Sequence, residues 1–170
     1  SLDGTGQGIV TFNILGTNDP VLFGANGGDS NPTANTVAEN SIAGTSVGIT
    51  ALATDADRGV TISYSLVTDL TGTTLYAANQ FAINATTGVV TTGSVALDHE
   101  AAASQTIYVK ATSSDTSSNI QSYTVGITNA NDNEVIFANG GDSNLTVNTV
   151  AENSIAGTSV GITALATDAD

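Results

Sequence analysis

The feature that most constrains this chain is an internal repeat: residues 35–57 recur without change as residues 148–170. Glu39 is matched by Glu152 and Asp55 by Asp168, an offset of 113 residues. Upstream, the run Ala25 to Asn31 recurs as Ala138 to Asn144 at the same offset. A period of that length is the size of one β-sandwich domain. The 170 residues therefore hold one and a half periods. A weaker echo fixes the other boundary, because Gly16-Thr17-Asn18-Asp19 precedes Pro20 much as Asn129-Ala130-Asn131-Asp132 precedes Asn133. Residues 1–19 then read as the last strand of a preceding repeat, 20–133 as one complete repeat and 134–170 as the first strands of the next. Near-identical modules in one chain argue an array whose units act as spacers.

Within the complete repeat, apolar residues alternate as they do on half-buried strands. Val47, Ile49, Ala51 and Ala53 share one face, and so do Val60, Ile62, Tyr64 and Leu66. Ile107, Val109 and Ala111 form a third stripe; Tyr123, Val125 and Ile127 form a fourth. Phe81 and Ile83 precede a turn at Thr87-Gly88, with Val90 beyond it. Gly126, inside the last stripe, predicts a bulge or a close backbone approach. Thr, Ser, Asn, Gly and Ala dominate, which suits strands joined by short turns, and no segment carries a helical period. The chain is expected to be all-β, an antiparallel sandwich. The 37 residues of 134–170 cannot bury a core alone. A neighbouring chain, or the rest of a longer polymer, is expected to cover them, and strand exchange into a fibre is one route.

Charge narrows the function. Lys and Arg number 2 against 16 Asp and Glu, a formal net charge of -14, and the two cations are Arg58 and Lys110. No basic footprint exists for nucleic acid, for phosphate or for an anionic membrane surface. No run of 18 or more apolar residues is present to span a bilayer. With 0 Cys there is no disulfide framework or thiolate metal site. The opening Ser1-Leu2-Asp3-Gly4 carries no signal-peptide pattern and reads as an internal slice. The single histidine, His99, belongs to no recognisable triad, and neither a Gly-x-Ser-x-Gly elbow nor a metalloprotease His pair occurs. The chain is not expected to be an enzyme.

The acids are grouped rather than scattered. Glu39 stands in Val37-Ala38-Glu39-Asn40; Asp55-Ala56-Asp57 ends a strand; Asp98 and Glu100 flank His99; and Asn129, Asn131 and Asp132 close the repeat. Calcium takes about 6–8 oxygen ligands from carboxylates, amides and carbonyls, and Asp-x-Asp or Asp-x-Glu in extended segments can aim alternate side chains at one ion. One such pair is a solvated turn more often than a site. Four groups in one order are much more specific, and the order Ala38-Glu39-Asn40, Asp55-Ala56-Asp57 with Gly59, Ile62 and Tyr64, then Phe81, Ile83, Thr87, Gly88 and Val90, then Leu97-Asp98 and Glu100, then Asn131-Asp132-Asn133 resembles the cadherin repeat. In particular it is similar to the cadherin-like modules of large bacterial surface adhesins of the RTX type.

The resemblance implies an immunoglobulin-like, seven-stranded Greek-key sandwich with calcium at the junctions between repeats. It implies one junction built from Glu39, Asp98, Glu100, Asn129, Asn131 and Asp132, with Asp168 and Asp170 lent by the next repeat. It implies a second from Asp55 and Asp57 with Asn18 and Asp19, incomplete because the preceding repeat's own acids are absent. Asn129 stands where the family usually has Asp, which lowers the site's charge. Asp29 and Asp142 are a further ligand or, by the plainer reading, part of a flexible turn. The implied role is an extracellular, secreted or cell-surface module, stiffened by calcium, acting as spacer or adhesive element. Its partners would be neighbouring repeats or identical chains, and cell-surface protein or polysaccharide. Sugar sites usually display an exposed aromatic platform; with 0 Trp, and Tyr64 and Tyr123 expected inward, Tyr76 and Tyr108 remain as candidates.

Overall fold

A computed structural model of the protein describes residues 9, 11, 16–133 and 135–168. Most of the strand expected in 1–19 lies outside the described residues, as does Asp170.

Each apolar stripe becomes a strand with its buried side turned to one interior. A four-stranded sheet has the order β2 (Thr36–Ala38), β9 (Ser118–Thr128), β8 (Ser104–Ser113), β5 (Ile62–Val67). A three-stranded sheet faces it, in the order β3 (Ser46–Thr50), β7 (Val89–Thr92), β6 (Phe81–Ile83). Two short strands complete the module: β1 (Leu22–Phe23) pairs antiparallel with β4 (Ala53–Thr54). β3 and β4 are one strand interrupted at Ala51 and Leu52: the Ala51 N–H still follows the β7 register to Gly88 O at 2.9 Å, and the Leu52 N–H turns to Gly28 O at 2.6 Å. The first strand is split as well. Its first half, β1, lies beside β4, and its second half, β2, runs parallel to β9 in the other sheet. Counting each broken strand once gives seven, and the crossings from β4 to β5, β5 to β6 and β7 to β8 make a Greek-key sandwich, the fold that the resemblance implies.

The interior is close-packed and aliphatic. Val47, Ile49 and Val90 of one sheet, with Ile107, Val109 and Val125 of the other, are all at most 2% exposed. Each such side chain contributes about 1.5–3 kcal/mol on leaving water. Tyr64 and Tyr123 point inward as expected, and both hydroxyls are satisfied: Ala53 N–H donates to Tyr64 Oη at 2.9 Å, and Tyr123 Oη donates to Gly27 O at 3.0 Å. Burial, helped by the Asp29 carboxylate, pushes the Tyr123 phenol well above its ordinary range.

Two glycines answer to the topology. Gly126 stands in unbroken register with both neighbours and marks a close approach, not a bulge; a Cβ there would lie 3.1 Å from Thr36 Cγ2. Gly88, at φ +72, would put a Cβ 2.1 Å from Ala51 O, so only glycine lets the turn before β7 close on Ala51.

The run Ala25–Asn31 is a pinned turn, not a flexible one. Residues Asn26–Gly28 form a 3-10 turn, and Asp29 Oδ1 accepts the N–H groups of Asn31 and Thr50 at 2.9 and 3.1 Å. Its twin does the same. Asp142 Oδ1 accepts from Asn144 and Thr163, both at 2.9 Å, between β10 (Ile136–Asp142) and β11 (Ala164–Thr167). β10 and β11 pair antiparallel, with Phe137 opposite Ala166 as Phe23 is opposite Ala53. The offset there is 114, because Gly24 has no counterpart between Phe137 and Ala138. The inward-facing side chains of this second copy stay exposed, however: Val160 is 44% and Ile162 57% accessible.

Candidate metal centre

The first cluster is built where β2 ends, β8 begins and β9 ends. Glu39, one residue past β2, is 3% exposed and is held by two backbone amides. Its Oε2 accepts His99 N–H and its Oε1 accepts Ala130 N–H, each at 2.7 Å. One side chain thereby ties three segments together. The Leu97-Asp98-His99-Glu100 turn is anchored by Leu97, 2% exposed in the core, and by Ala101 N–H donating to Asp98 Oδ1 at 2.9 Å. Carboxylate oxygens of Glu39, Asp98 and Glu100 consequently lie within 4.8 Å of one another. Asn129 Nδ2 donates to Glu100 Oε1 at 2.9 Å, and His99 Nδ1 stands 3.5 Å from the same oxygen. Asp132 is tied in by Asn40, whose Nδ2 donates to its carboxylate.

The second cluster forms where β4 gives way to β5. Asp57 N–H donates to Asp55 Oδ1 at 2.9 Å, curling the Asp-x-Asp so that both carboxylates face one way. The third member, Asp115, comes from the tight turn joining β8 to β9, and its oxygens, with those of Asp55 and Asp57, again lie within 4.8 Å. Ser117 bridges them: its N–H donates to Asp115 Oδ1 at 2.9 Å and its Oγ to Asp55 Oδ2 at 3.0 Å. The Ser117 N–H, ahead of the hydroxyl contacts, holds the Asp115 carboxyl below the usual aspartate range. Asp115 Oδ2 is shut off from solvent and receives no hydrogen bond from the described residues. The linker reaches this cluster, with Asp19 N–H donating to Asp57 Oδ2 at 2.7 Å and Asn18 Nδ2 to Asp115 O at 3.2 Å.

β8 leads from one cluster to the other. Its ten residues, at about 3.3 Å each, separate the two poles by about 30 Å. Two oxygens bound to one calcium at about 2.3–2.6 Å stand no more than about 5 Å apart, so both triads match the donor spacing a calcium ion needs. Three facing carboxylates repel one another, and the chain has 2 Lys and Arg to set against 16 acids. Both the oxygen-only donor sets and the orphaned Asp115 oxygen fit a hard divalent cation.

The remaining sequence-derived residues fall elsewhere. Asn131 is exposed, and Asp168, also exposed, is not among the carboxylates grouped at either pole; Asp170 lies outside the described residues. Asp29 and Asp142 spend the same carboxylate oxygen on two backbone amides and serve as turn acceptors. Tyr76 is not an exposed platform: it is half-buried and packs on the core. Asp115 is the residue that sequence reading missed. It stands alone in a Ser-rich turn, and the one signal for it is its place in a β-hairpin that ends at the pole occupied by Asp55 and Asp57.

Comparison with known proteins places the fold. The family model of the cadherin domain matches residues 34–128. Among solved structures, mouse Cadherin-23 EC22-24 is 29% identical over 90% of this chain with a TM-score of 0.62. Extracellular cadherin domains 1-4 of Protocadherin Gamma B7 are 26% identical over 89% of the chain, with a TM-score of 0.60. The Protocadherin GammaB4 extracellular domain shares the fold at 24% identity over 81% and a TM-score of 0.62. The chain spans 44%, 33% and 20% of these three structures, respectively. No curated protein matches it.

Proposed function

Because the chain belongs to the cadherin domain family, we propose that it is a calcium-stiffened spacer or adhesive module of a bacterial surface adhesin of the RTX type, working outside the cell. The observation that carries this reading is the pair of carboxylate triads at opposite poles of one sandwich. A module with an ion site at each end can be joined stiffly at both. Residues 20–133 are the complete domain in this reading; 1–19 and 134–170 belong to its neighbours, which are its immediate partners. Glu39, Asp98, Glu100, Asn129, Asn131 and Asp132 would hold calcium at one junction, with Asp168 and Asp170 contributed across it. Asp55, Asp57 and Asp115, with Asn18 and Asp19, would hold it at the other.

Calcium would supply the positive charge that these acids lack. Without it, their repulsion and the short linkers leave the modules free to swing; with it, groups of two modules share one ion and the hinge is ordered. Extracellular calcium modules bind at about 10⁻⁴–10⁻³ M, so such a rod is stiff outside a cell and slack within. Calorimetric titration tests the assignment. Asp115→Asn should abolish binding at one pole alone, and the pair Asp98→Asn with Glu100→Gln at the other alone. Unchanged binding in both variants would sink it.

A further inference from the structure

We propose that the outer face of the four-stranded sheet carries a binding site for an acidic sugar residue, centred on Lys110. The site uses no calcium and stands apart from both carboxylate poles. Ile107, Val109 and Ala111 of β8 are turned to the core, so alternation sends Tyr108, Lys110 and Thr112 outward. Lys110 is one of 2 Lys and Arg set against 16 acids. A cation so scarce could neutralise one of the acid clusters, yet both triads lie beyond the ends of β8. Among the described residues Lys110 forms no ion pair. Its ammonium donates to a neutral oxygen instead, Gly72 O at 3.3 Å. The charge is therefore held in place and left for a counter-ion from outside.

The loop after β5 builds the rest of the site. Asp69 Oδ1 accepts the N–H groups of Thr71 and Gly72 at 2.8 and 3.3 Å, and the Thr71 hydroxyl donates to it as well. That carboxylate is thus spent on its own loop. Gly72, at φ +62, lets the loop lie against the sheet: a Cβ there would stand 2.4 Å from Ile120 Cδ1 and 3.4 Å from Lys110 Cδ. Between loop and sheet is an open hollow of about 290 Å³, lined by Leu70, Thr71, Lys110, Ser118, Asn119 and Ile120. Because the loop is already pinned, little ordering remains to oppose binding.

The lining selects the ligand. One ammonium calls for one carboxylate, in a charge-assisted hydrogen bond. The hydroxyls of Thr71 and Ser118 match those of a sugar, and Leu70, 64% exposed, offers apolar contact to the C–H face of a ring. A net charge of -14 repels dense polyanions, so the charges on the ligand must be sparse. The hollow sits at the small end of ligand pockets, about 300–1,000 Å³, which suits a single ring. It is open to solvent, so a chain can run on past it. Along the same face the cross-strand pairs Tyr108–Ser122 and Thr106–Thr124 continue the row of hydroxyls, with Tyr108 as its aromatic member. An acidic peptide would satisfy Lys110 but leave most of these hydroxyls unused.

Chemical-shift mapping of the isotope-labelled full chain in calcium tests the site, with methyl glucuronide as the probe. Methyl glucoside and N-acetylglutamate amide are titrated separately. The glucuronide should shift the amides of Leu70, Thr71, Gly72, Lys110, Ser118 and Ile120 with millimolar affinity. Lys110→Gln should weaken its binding at least about tenfold, the loss of one hydrogen bond to a charged group. The neutral glucoside removes the same charge from the ligand side and should also bind at least about tenfold more weakly. That arm needs no mutation and stands whether or not the variant folds well. Shifts confined to the poles at Asp98 and Asp115 would mean that the sugar acid meets only bound calcium, and would overturn the proposal. So would an absence of shifts, or a glucoside that binds as well as the glucuronide. N-acetylglutamate amide binding as tightly as the glucuronide would reassign the site to acidic peptides and overturn it too.

Discussion

Residues 35–57 and 148–168 place one sequence in two surroundings. In the first, β3 pairs with β7 and shares one core with β8 and β9, and Val47 and Ile49 vanish from solvent. In the second, the same valine and isoleucine stand open while the local hydrogen bonds of the turn are kept. Local chemistry is therefore encoded locally: Asp29 and Asp142 find equivalent amides whether or not a sandwich forms around them. Burial is different, since it belongs to the strands that arrive later in the chain. The described part of the second copy keeps the shape of the turn without the burial.

That difference can be broken at four places, from the largest effect to the smallest. Ile49→Ala should cost about 2–5 kcal/mol, the range for truncating a buried isoleucine. Ile162→Ala should change stability by less than about 0.5 kcal/mol, both read by urea unfolding at low protein concentration. Should the two cost the same, the second copy is packed as tightly as the first. Gly48 and Gly161 share a positive φ, +85 and +84, yet a Cβ would lie 2.3 Å from Ala34 O in the first and 2.9 Å from Val147 O in the second. Both alanine variants carry the strain of a positive φ, about 1–3 kcal/mol; Gly48→Ala should lower stability further than Gly161→Ala because its Cβ meets backbone more closely, as thermal melts of the two variants will show.

Glu39→Gln sharpens the comparison at the polar end. Gln keeps one acceptor but turns an NH₂ toward either His99 N–H or Ala130 N–H, leaving a buried donor unpaired at a cost of about 1–3 kcal/mol. Glu152→Gln, at an exposed position, should be silent. Both are measured with chelator present, so that any metal is removed from the comparison. The smallest effect concerns pH. Backbone amides of Thr163 and Asn144, in that order, hold the Asp142 carboxyl below the usual aspartate range. A carboxyl lowered by folding stabilises the turn above its unfolded pKa, and that contribution is lost as pH falls through the lowered folded value. The Thr163 amide resonance should shift with the Asp142 titration below the usual aspartate range; an Asp142 that titrates at its ordinary value would refute the assignment.

The sequence made the sandwich legible because alternation is a direct image of one-sided burial. Val47-Ile49-Ala51-Ala53 and Ile107-Val109-Ala111 are buried as the pattern requires. The split of the first strand between two sheets left no such image. β1 and β2 are two and three residues long, and what sends β2 alongside β9 is the small Gly126 some ninety positions away. The acid groups divide in the same way. Glu39, Asp98, Glu100, Asp55 and Asp57 lie in short motifs whose spacing carries the signal. Asp115 has no motif of its own, and reaches Asp55 through a hairpin turn 62 positions from Asp55 to Ser117. The bracing role of Asp29 was equally hidden, since Gly-Gly-Asp-Ser-Asn reads as a loose turn until Thr50 is brought beside it.

The central claim is that the polar carboxylates exist to bind calcium. Thermal unfolding of the intact chain in millimolar calcium and in excess chelator, repeated with Asp98→Ala, tests it most directly. The account predicts a melting temperature raised by calcium, with the rise reduced in Asp98→Ala while the two proteins melt alike in chelator. A melting temperature indifferent to calcium would contradict it and leave the clusters as solvated surface.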